Sequence, residues 1–433
     1  FDSVLANHAA GAAANRARRG DVGADSGTDG RGNFDAHSGG NPAVARRGRS
    51  GADPLSRAVA DDVLRDPGEV IGTDLLASAA NAKYLQTQAA KILAPQRAGH
   101  SPVWLLDTSD RIHRRPHGIV GVIGTWNYPV FLTLGAILPA LVAGNGVLWK
   151  PSELAPRTSD EIDKLLIDAG VERDLLVKLP ATREAGPKLC ETEIDFLHFT
   201  GSDGVGRRIA SRLGERLIPS ALELSGNDAF VVMEDANLEL AARSAWYGAT
   251  LNNGQTCMCA RRAFVARPLF EAFVKVIAPL VEEAPPRPLV TAGQVDQFDR
   301  IIGEARSKSI RVLSSLSRVN RPNVTPAVLV DPPADFSSCT EAVFAPLLSV
   351  LPFESSDDLL AKIDVSPFGL SSAVFAGDTD AAKELAGKIR AGSVVINDVI
   401  VPAAHPGTPF GGRGARGGGT PQGADGLLAM TVP

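Results

Sequence analysis

The sequence predicts an α/β fold in which two doubly wound parallel sheets are each flanked by helices. Three observations support this prediction. Apolar segments of strand length alternate with segments of helical periodicity from about Gly118 onward, the alternation restarts after Glu223, and a glycine-rich turn at 201–206 joins a predicted strand to a predicted helix. Such alternation is typical of parallel sheets that carry helices on both faces.

Length and composition indicate a globular protein with two or three domains. The chain has 433 residues, of which 44% are hydrophobic and 21% are charged, values typical of soluble proteins with large cores. A formal net charge of −5 argues against nucleic acid as a partner. Four cysteines are too few for a disulfide framework, which predicts a reducing, cytoplasmic location. Cys257 and Cys259 lack further ligands at zinc-binding spacing, so no metal site is predicted.

The sequence of the amino-terminal part of the chain predicts a disordered tail, a helix and a hairpin. Residues 1–55 are rich in Gly, Ala, Arg, Asp and Ser and lack apolar periodicity, which predicts disorder. Apolar residues recur at helical spacing over 75–93. Residues 101–116 alternate apolar and charged positions around the sequence DTSD, which predicts a β-hairpin.

The uncharged run from Gly118 to Trp149 is long enough to suggest a membrane span. The sequences WNYP and GNG interrupt it, however, and are typical of loops. We therefore predict no membrane span, but a strand at 118–123, a helix at 130–143 and a second strand at 146–149.

The remaining elements follow in two series. Further predicted strands lie at 175–179, 196–200, 229–233, 263–266, 310–313, 347–352, 372–375 and 393–396. Further predicted helices lie at 268–283, 294–307, 357–363 and 379–390. Gly201–Gly206 precedes a helix that begins near Val205, and a glycine-rich turn at a helix N-terminus presents unpaired N–H groups to a phosphate. Such turns also occur for tight packing alone.

Cys257 is the predicted nucleophile, because it follows the turn signal Asn252-Asn253-Gly254 and so belongs to a loop rather than a packed face. A cysteine nucleophile needs a base that is its neighbour in space, and Glu223 is the candidate. Read alone, Glu223 also fits a solvated charge on a strand. The three other cysteines are predicted to be small buried apolar residues, namely Cys190, Cys259 and Cys339.

Eight short motifs occur along the chain in the order GTWNYP, LWKPSE, FTGSDGVG, LELSGN, NNGQTCMCARR, EAVFAPL, SPFGL and TPFGG. From about Leu75 to Met430 this series resembles the aldehyde dehydrogenase superfamily of the non-acylating type. The resemblance implies two Rossmann-like domains and a small β oligomerisation element. The implied divisions are a cofactor-binding domain at 56–225 that includes an oligomerisation hairpin at 101–116, a catalytic domain at 226–400, and a segment at 401–433 that returns to the cofactor and oligomerisation region.

The resemblance implies NAD(P)-dependent oxidation of a small-molecule aldehyde to a carboxylic acid. The Cys257 thiolate would attack the aldehyde carbon, and the oxyanion would be bound by the side-chain amide of Asn127 and the backbone N–H of Cys257. Hydride would then pass to the nicotinamide, and Glu223 would activate water to hydrolyse the thioester. Asn127, read alone, also fits an ordinary turn residue before Tyr128 and Pro129.

The resemblance also implies the cofactor contacts. Lys150 and Glu153 would hold the adenosine ribose, where a carboxylate repels a 2′-phosphate and favours NAD while leaving NADP open. Gly201 and Ser202 would face the pyrophosphate, and Gly206 would permit close packing. The full predicted set is Trp126, Lys150, Glu153, Gly201, Ser202, Gly206 and Phe344.

Two positions depart from the family pattern. Ala342 stands where the family carries a second acid that grips the nicotinamide ribose, and Ser225 replaces a glycine. Two alternatives therefore stay open: an acylating aldehyde dehydrogenase or acyl reductase, and a non-catalytic homologue that acts as a binding subunit. Retention of Glu223 favours water as the acyl acceptor.

The substrate tunnel is expected near Tyr128, Trp246, Met258 and residues 401–407. These positions include apolar and aromatic groups without a cluster of cations, which favours an uncharged aldehyde. The family resemblance further implies a homodimer or homotetramer.

Overall fold

The computed structural model describes residues 54–99, 102–105, 108–315, 319–415 and 417–433. The predicted tail lies outside these ranges except for residues 54 and 55, where a helix over 54–63 begins. The predicted helix 75–93 is observed as a π-helical turn at Ile71–Leu75 followed by an α-helix at Leu76–Ile92.

The first sheet is parallel through five strands and doubly wound. These strands are β1 (Ile119–Ile123), β2 (Gly146–Lys150), β3 (Leu176–Lys178), β4 (Phe196–Gly201) and β5 (Ser220–Leu224). Their order across the sheet is β5-β4-β1-β2-β3. The strand order therefore reverses at β1, with β2 and β3 on one side of it and β4 and β5 on the other. In sheets of this kind ligands bind beyond the carboxyl ends of the strands at the point of reversal.

Helices cover both faces of this sheet, and a separate apolar cluster lies on each face. The α-helices that follow the strands are Phe131–Val142, Pro156–Asp168, Ala185–Glu191 and Asp203–Glu215. The uncharged run 118–149 thus forms a strand, a helix and a second strand, as predicted. Within the described ranges, no helix combines the length and the hydropathy that a membrane crossing requires.

The second sheet has seven strands. They are β6 (Asp228–Val232), β7 (Ala260–Ala266), β8 (Arg311–Ser314), β9 (Ala327–Val330), β10 (Leu347–Phe353), β11 (Ser371–Phe375) and β12 (Ser393–Ile396). Their order is β8-β9-β10-β7-β6-β11-β12, and all neighbours are parallel except β8 and β9. Its longer helices are Leu238–Thr250, Phe270–Glu282, Ala292–Ser307, Ser356–Asp364 and Thr379–Lys388.

The carboxyl-terminal segment returns to the first sheet. A two-residue strand, β13 (Gly417–Gly418), pairs antiparallel with β5, and Thr431–Val432 pairs with Arg115–Pro116. The described residues also form short helices at Pro67–Val70, Ser337–Thr340, Val401–Ala404 and Gly423–Leu428 and 3-10 turns at Val103–Leu105, Leu251–Gly254 and Arg267–Leu269. Two-stranded pairings join Arg287–Pro288 to Asn323–Val324 and Phe368–Gly369 to Arg413–Gly414.

The predicted α/β class with two parallel sheets is confirmed, but three details of the prediction are wrong. Among the described residues of 101–116 the predicted hairpin is not observed, because Arg111–Ile112 pairs with Gln96–Arg97 and Arg115–Pro116 pairs with Thr431–Val432. The strands β5 and β9 were missing from the predicted series. A glutamate interrupts the apolar pattern of β5, and β9 is a short, fully apolar run, which shows neither strand nor helix periodicity.

Candidate active site

The predicted nucleophile lies in a tightly turned loop. Cys257 stands between the helix that ends at Thr250 and strand β7, and it is half-buried. Asn252, Asn253 and Gly254 have φ angles of 52, 55 and 74°. Asparagine and glycine adopt this left-handed region more readily than other residues, so the sequence Asn-Asn-Gly suits the turn that presents the thiol.

Arg261 joins this turn to the segment before β10. Its side chain is buried and donates hydrogen bonds to the carbonyls of Gly254 and Ala345. Burial lowers the pKa of Arg261, a cost that such charge-assisted hydrogen bonds offset. A side chain at Gly254 would overlap the backbone of Ala345, so the two segments are in direct contact. This contact positions Phe344, the residue next to Ala345.

The thiol of Cys257, in the loop before β7, and the carboxylate of Glu223, in β5, lie together although they are distant along the chain. The Cys257 Sγ is 3.9 Å from Glu223 Oε1. Glu223 lies in β5, opposite Thr200 of β4 and Gly417 of β13, and only 5% of its surface is exposed. The alternative of a solvated strand charge is therefore wrong, because the carboxylate is buried beside the thiol.

Asn127 lies at the same place, in the loop between β1 and the following helix. Its Oδ1 accepts a hydrogen bond from Thr125 Oγ1 at 3.0 Å, and its Nδ2 donates to the carbonyl of Gln255 at 3.2 Å. With the oxygen engaged by Thr125, the NH₂ group is directed toward the loop that holds Cys257. The structure thus brings a thiol, a carboxylate and an amide donor into one site.

Lys150 and Glu153 form an ion pair at the carboxyl end of β2. Lys150 Nζ is 3.0 Å from Glu153 Oε2, and Arg183 Nε is 3.0 Å from Glu153 Oε1. Burial raises the pKa of Glu153, but hydrogen bonds from its own N–H, Lys150 and Arg183 outweigh burial and lower it. Arg183 was not predicted to belong to this site, and its side chain is 80% exposed.

The glycine-rich turn leads into the helix Asp203–Glu215. Ser202 is exposed at its N-cap and makes no capping hydrogen bond with its side chain, while Asp203 adds a carboxylate to the first turn. A side chain at Gly206 would overlap Leu224 of β5, so the close packing expected of Gly206 is observed. Gly201 ends β4.

The aromatic residues Trp126 and Phe344 meet edge to face, with ring centroids 6.3 Å apart. Glu341 is held by Gln297 at 3.1 Å and by Arg300. Ala342 is half-buried and places no carboxylate beside these rings.

A small apolar cluster lies against the predicted nucleophile. Met258, Leu370 and Phe410 form its buried centre, and Cys257 and Ala403 pack against it. Leu370 and Phe410 were not predicted to belong to the site, although they stand in the motifs SPFGL and TPFGG. Trp246, predicted to line the tunnel, packs instead against the core of the second sheet.

The remaining cysteines are buried and free, as predicted. In the part of the chain that the structure describes, no group of three or more His, Cys, Asp or Glu residues is arranged to hold a metal ion.

Known proteins resemble this chain in sequence and in fold. A model of the aldehyde dehydrogenase family matches residues 55–433. A Methylomonas protein named 4,4'-diapolycopene aldehyde oxidase is 33% identical over 81% of this chain and 67% of that protein. A Mycolicibacterium smegmatis protein, provisionally named succinate-semialdehyde dehydrogenase (NADP+), is 30% identical over 81% of this chain and 70% of its own length.

Among solved structures, a Mycobacterium tuberculosis aldehyde dehydrogenase complexed with NAD+ superposes with a TM-score of 0.84 at 26% identity, covering 90% of this chain and 82% of that chain. Fold and sequence together define the chain as an oxidoreductase of the α/β class. It belongs to the aldehyde dehydrogenase family.

Proposed function

We propose that the protein oxidises aldehydes to carboxylic acids, with NAD or NADP as the hydride acceptor and a thioester on Cys257 as the intermediate. The observation that carries this proposal is the 3.9 Å approach of the Cys257 thiol to the Glu223 carboxylate, with the Asn127 amide in the neighbouring loop. A nucleophile, a base and an oxyanion donor are the parts that acyl chemistry requires.

In the first step the Cys257 thiol gives up its proton to solvent, and the thiolate sulfur bonds to the aldehyde carbon. The Asn127 NH₂ group and the Cys257 N–H donate to the resulting oxyanion, which a buried, low-dielectric site favours. A bound nicotinamide cofactor would supply the hydride acceptor that turns the thiohemiacetal on Cys257 into a thioester. Glu223 then takes a proton from water, which attacks the thioester and releases the carboxylic acid. Its burial at 5% exposure keeps this carboxylate away from bulk water.

The carboxyl edge of the first sheet fits a dinucleotide. Lys150 and Glu153 would hold the adenosine ribose, and the unengaged cap of helix Asp203–Glu215 would bind phosphate through Gly201 and Ser202. Trp126 and Phe344 would lie beside the nicotinamide. Glu153 favours NAD, while Arg183 at the same carboxylate supplies a cation for the 2′-phosphate of NADP.

The substrate we propose is an uncharged, apolar aldehyde. Cys257 packs against Met258, Leu370 and Phe410, and such groups bind apolar chains. The Methylomonas relative is named for 4,4'-diapolycopene aldehyde and the Mycolicibacterium relative provisionally for succinate semialdehyde, so the proposal of an apolar aldehyde rests on the apolar cluster beside Cys257. Free cysteines support the predicted cytoplasmic location, and the homodimer or homotetramer remains a prediction.

The test is NADH formation by the purified protein with a panel of alkanals, benzaldehyde and succinic semialdehyde. We expect turnover with the apolar aldehydes, a carboxylic acid product without coenzyme A, and loss of activity in Cys257→Ala. Cys190→Ala, in a buried core position, is the matched control and should stay active. A requirement for coenzyme A would indicate the acylating alternative, and a folded but inactive wild type would indicate the binding-subunit alternative.

A further inference from the structure

Arg65 connects the two loops that carry the predicted catalytic groups. It is 4% exposed, and its Nη1 donates to the carbonyl of Asn127 at 3.2 Å and to Asp74 Oδ2 at 2.9 Å. Its guanidinium carbon lies 4.6 Å from the centroid of the Tyr128 ring, a cation–π distance. The hydroxyls of Tyr128 and Thr256 are 2.6 Å apart. The contacts of Arg65 therefore extend to the residue before the predicted nucleophile.

The backbone next to Arg65 has an unusual conformation. Leu64 has a φ of 56°, a region that leucine rarely adopts, and its carbonyl accepts a hydrogen bond from Asn253 Nδ2 at 3.4 Å. Asn252 Nδ2 donates at 2.8 Å to the same Asn127 carbonyl that Arg65 contacts. Residues in such conformations cluster at functional sites, where surrounding contacts hold them.

Asp74 holds the guanidinium in place. It lies in the π-helical turn Ile71–Leu75, a conformation frequent at functional sites, and its side chain is fully buried. While its Oδ2 binds Arg65, its Oδ1 accepts the N–H of Phe131 at 2.5 Å. Phe131 begins the helix that follows the Asn127 loop. Burial raises the pKa of Asp74 to about 6, against the opposing charge of Arg65.

We propose that Arg65, held by Asp74, is a positioning residue for oxyanion binding. It fixes the main chain at Asn127, so that the side-chain amide, already oriented by Thr125, faces Cys257. The inference rests on the proposed function, because it concerns the same oxyanion. Arg65 acts through Asn127 and does not touch the substrate.

The test compares kcat and KM in wild type and Arg65→Gln. Because a donor displaced by about 1 Å can cost up to ~100-fold in rate, we expect kcat to fall by about 10- to 100-fold. Substrate binding is not altered by this change, so KM for the aldehyde should change by less than about threefold. The kcat of Arg65→Lys should lie between those of wild type and Arg65→Gln, because lysine keeps the charge but lacks the planar, forked guanidinium group. Adding ethylguanidinium to Arg65→Ala should restore part of kcat.

Asp62→Asn is the matched control. Asp62 lies in the helix 54–63, its side chain is 2% exposed, and it accepts hydrogen bonds from Thr158 N and Oγ1 at 2.8 and 2.9 Å. It ties the same amino-terminal segment to the helix Pro156–Asp168, away from Asn127. Its substitution should lower stability and leave kcat within about twofold of wild type.

A folded Arg65→Gln with wild-type kcat would overturn the inference. An equal fall in kcat for Asp62→Asn would also do so, because general loosening would then explain both variants. If Arg65→Gln does not fold, the kcat of Arg65→Lys is compared with that of wild type instead. A wild type that oxidises no aldehyde contradicts the proposed function, and this inference falls with it. An active wild type with unaffected Arg65 variants contradicts this inference alone.

Discussion

The Sγ atom of Cys257 lies 3.9 Å from Oε1 of Glu223, so a thiol from the loop before β7 and a carboxylate from β5 of the first sheet are neighbours in space. Glu223 is bound into β5 through its backbone, and Cys257 is held by the turn that Arg261 joins to the segment before β10. The approach of the two groups is therefore set by how the sheets are packed, and the chemistry depends on that packing.

Replacing Glu223 by Gln should leave the first half of the reaction and block the second. An amide cannot take the proton of the attacking water, so hydrolysis of the thioester should slow by roughly 100-fold or more. Rapid mixing with an aldehyde and NAD+ should show a burst of NADH followed by a slow steady state, with an acyl adduct visible by intact mass. The double variant Glu223→Gln/Cys257→Ser should show no burst, and steady turnover at the wild-type rate in Glu223→Gln would contradict the assigned role.

Replacing Gly254 by Ala should disrupt the nucleophile loop. Its φ of 74° disfavours any side chain, and the new Cβ would overlap the backbone of Ala345. We expect destabilisation well beyond ~1 kcal/mol, measured by thermal unfolding, together with loss of activity. Gly303→Ala is the control, because Gly303 lies exposed in the helix Ala292–Ser307 with open space around it. That change should stabilise the protein by up to ~1 kcal/mol, and equal effects at both sites would contradict the prediction.

Replacing Arg183 by Ala should weaken NADP binding more than NAD binding. Arg183 and Lys150 share the carboxylate of Glu153, so its loss removes a cation and leaves Glu153 less neutralised against a 2′-phosphate. We expect the ratio of the two dissociation constants to shift by roughly tenfold, equivalent to about 1.4 kcal/mol. Titration of intrinsic fluorescence measures both constants without turnover. Arg212→Ala, at an exposed ion pair with Glu191, should leave the ratio unchanged.

Replacing His198 by Leu should flatten the dependence of stability on pH in mild acid. Burial lowers the pKa of His198 to about 4 from 6.5. Between those values the unfolded chain binds a proton that the folded protein does not, so wild-type stability falls as the pH falls, by up to ~3 kcal/mol. Chemical denaturation at pH 7 and pH 4 in both proteins measures the difference.

Asp74 has a raised pKa, so its titration changes the stability in the opposite direction over this pH range. His198→Leu must therefore be compared with wild type at each pH. His113→Gln, at an exposed position, controls for the loss of an imidazole. Identical slopes for wild type and His198→Leu would contradict the prediction.

The sequence by itself determined the fold class and the identity of the predicted chemical groups. Alternating apolar periodicity is local information, because a strand or helix that faces a core repeats every two or every 3.6 residues. The Asn-Asn-Gly turn and the close-packed Gly206 are local in the same sense, since each depends on backbone geometry that few residues permit. Cys257, Glu223 and Asn127 could therefore be named from the motifs that contain them.

Tertiary structure alone decided how those groups meet. The strand partner of Arg111–Ile112, the burial of Glu223 and the apolar cluster of Leu370 and Phe410 all depend on contacts between distant parts of the chain. Arg65 stands in no motif, yet the fold buries its charge beside the Asn127 loop, where Asp74, Glu69, Thr73 and the Asn127 carbonyl contact the guanidinium. Desolvation and hydrogen-bond geometry are properties of a site in space, so no pattern along the chain encodes them.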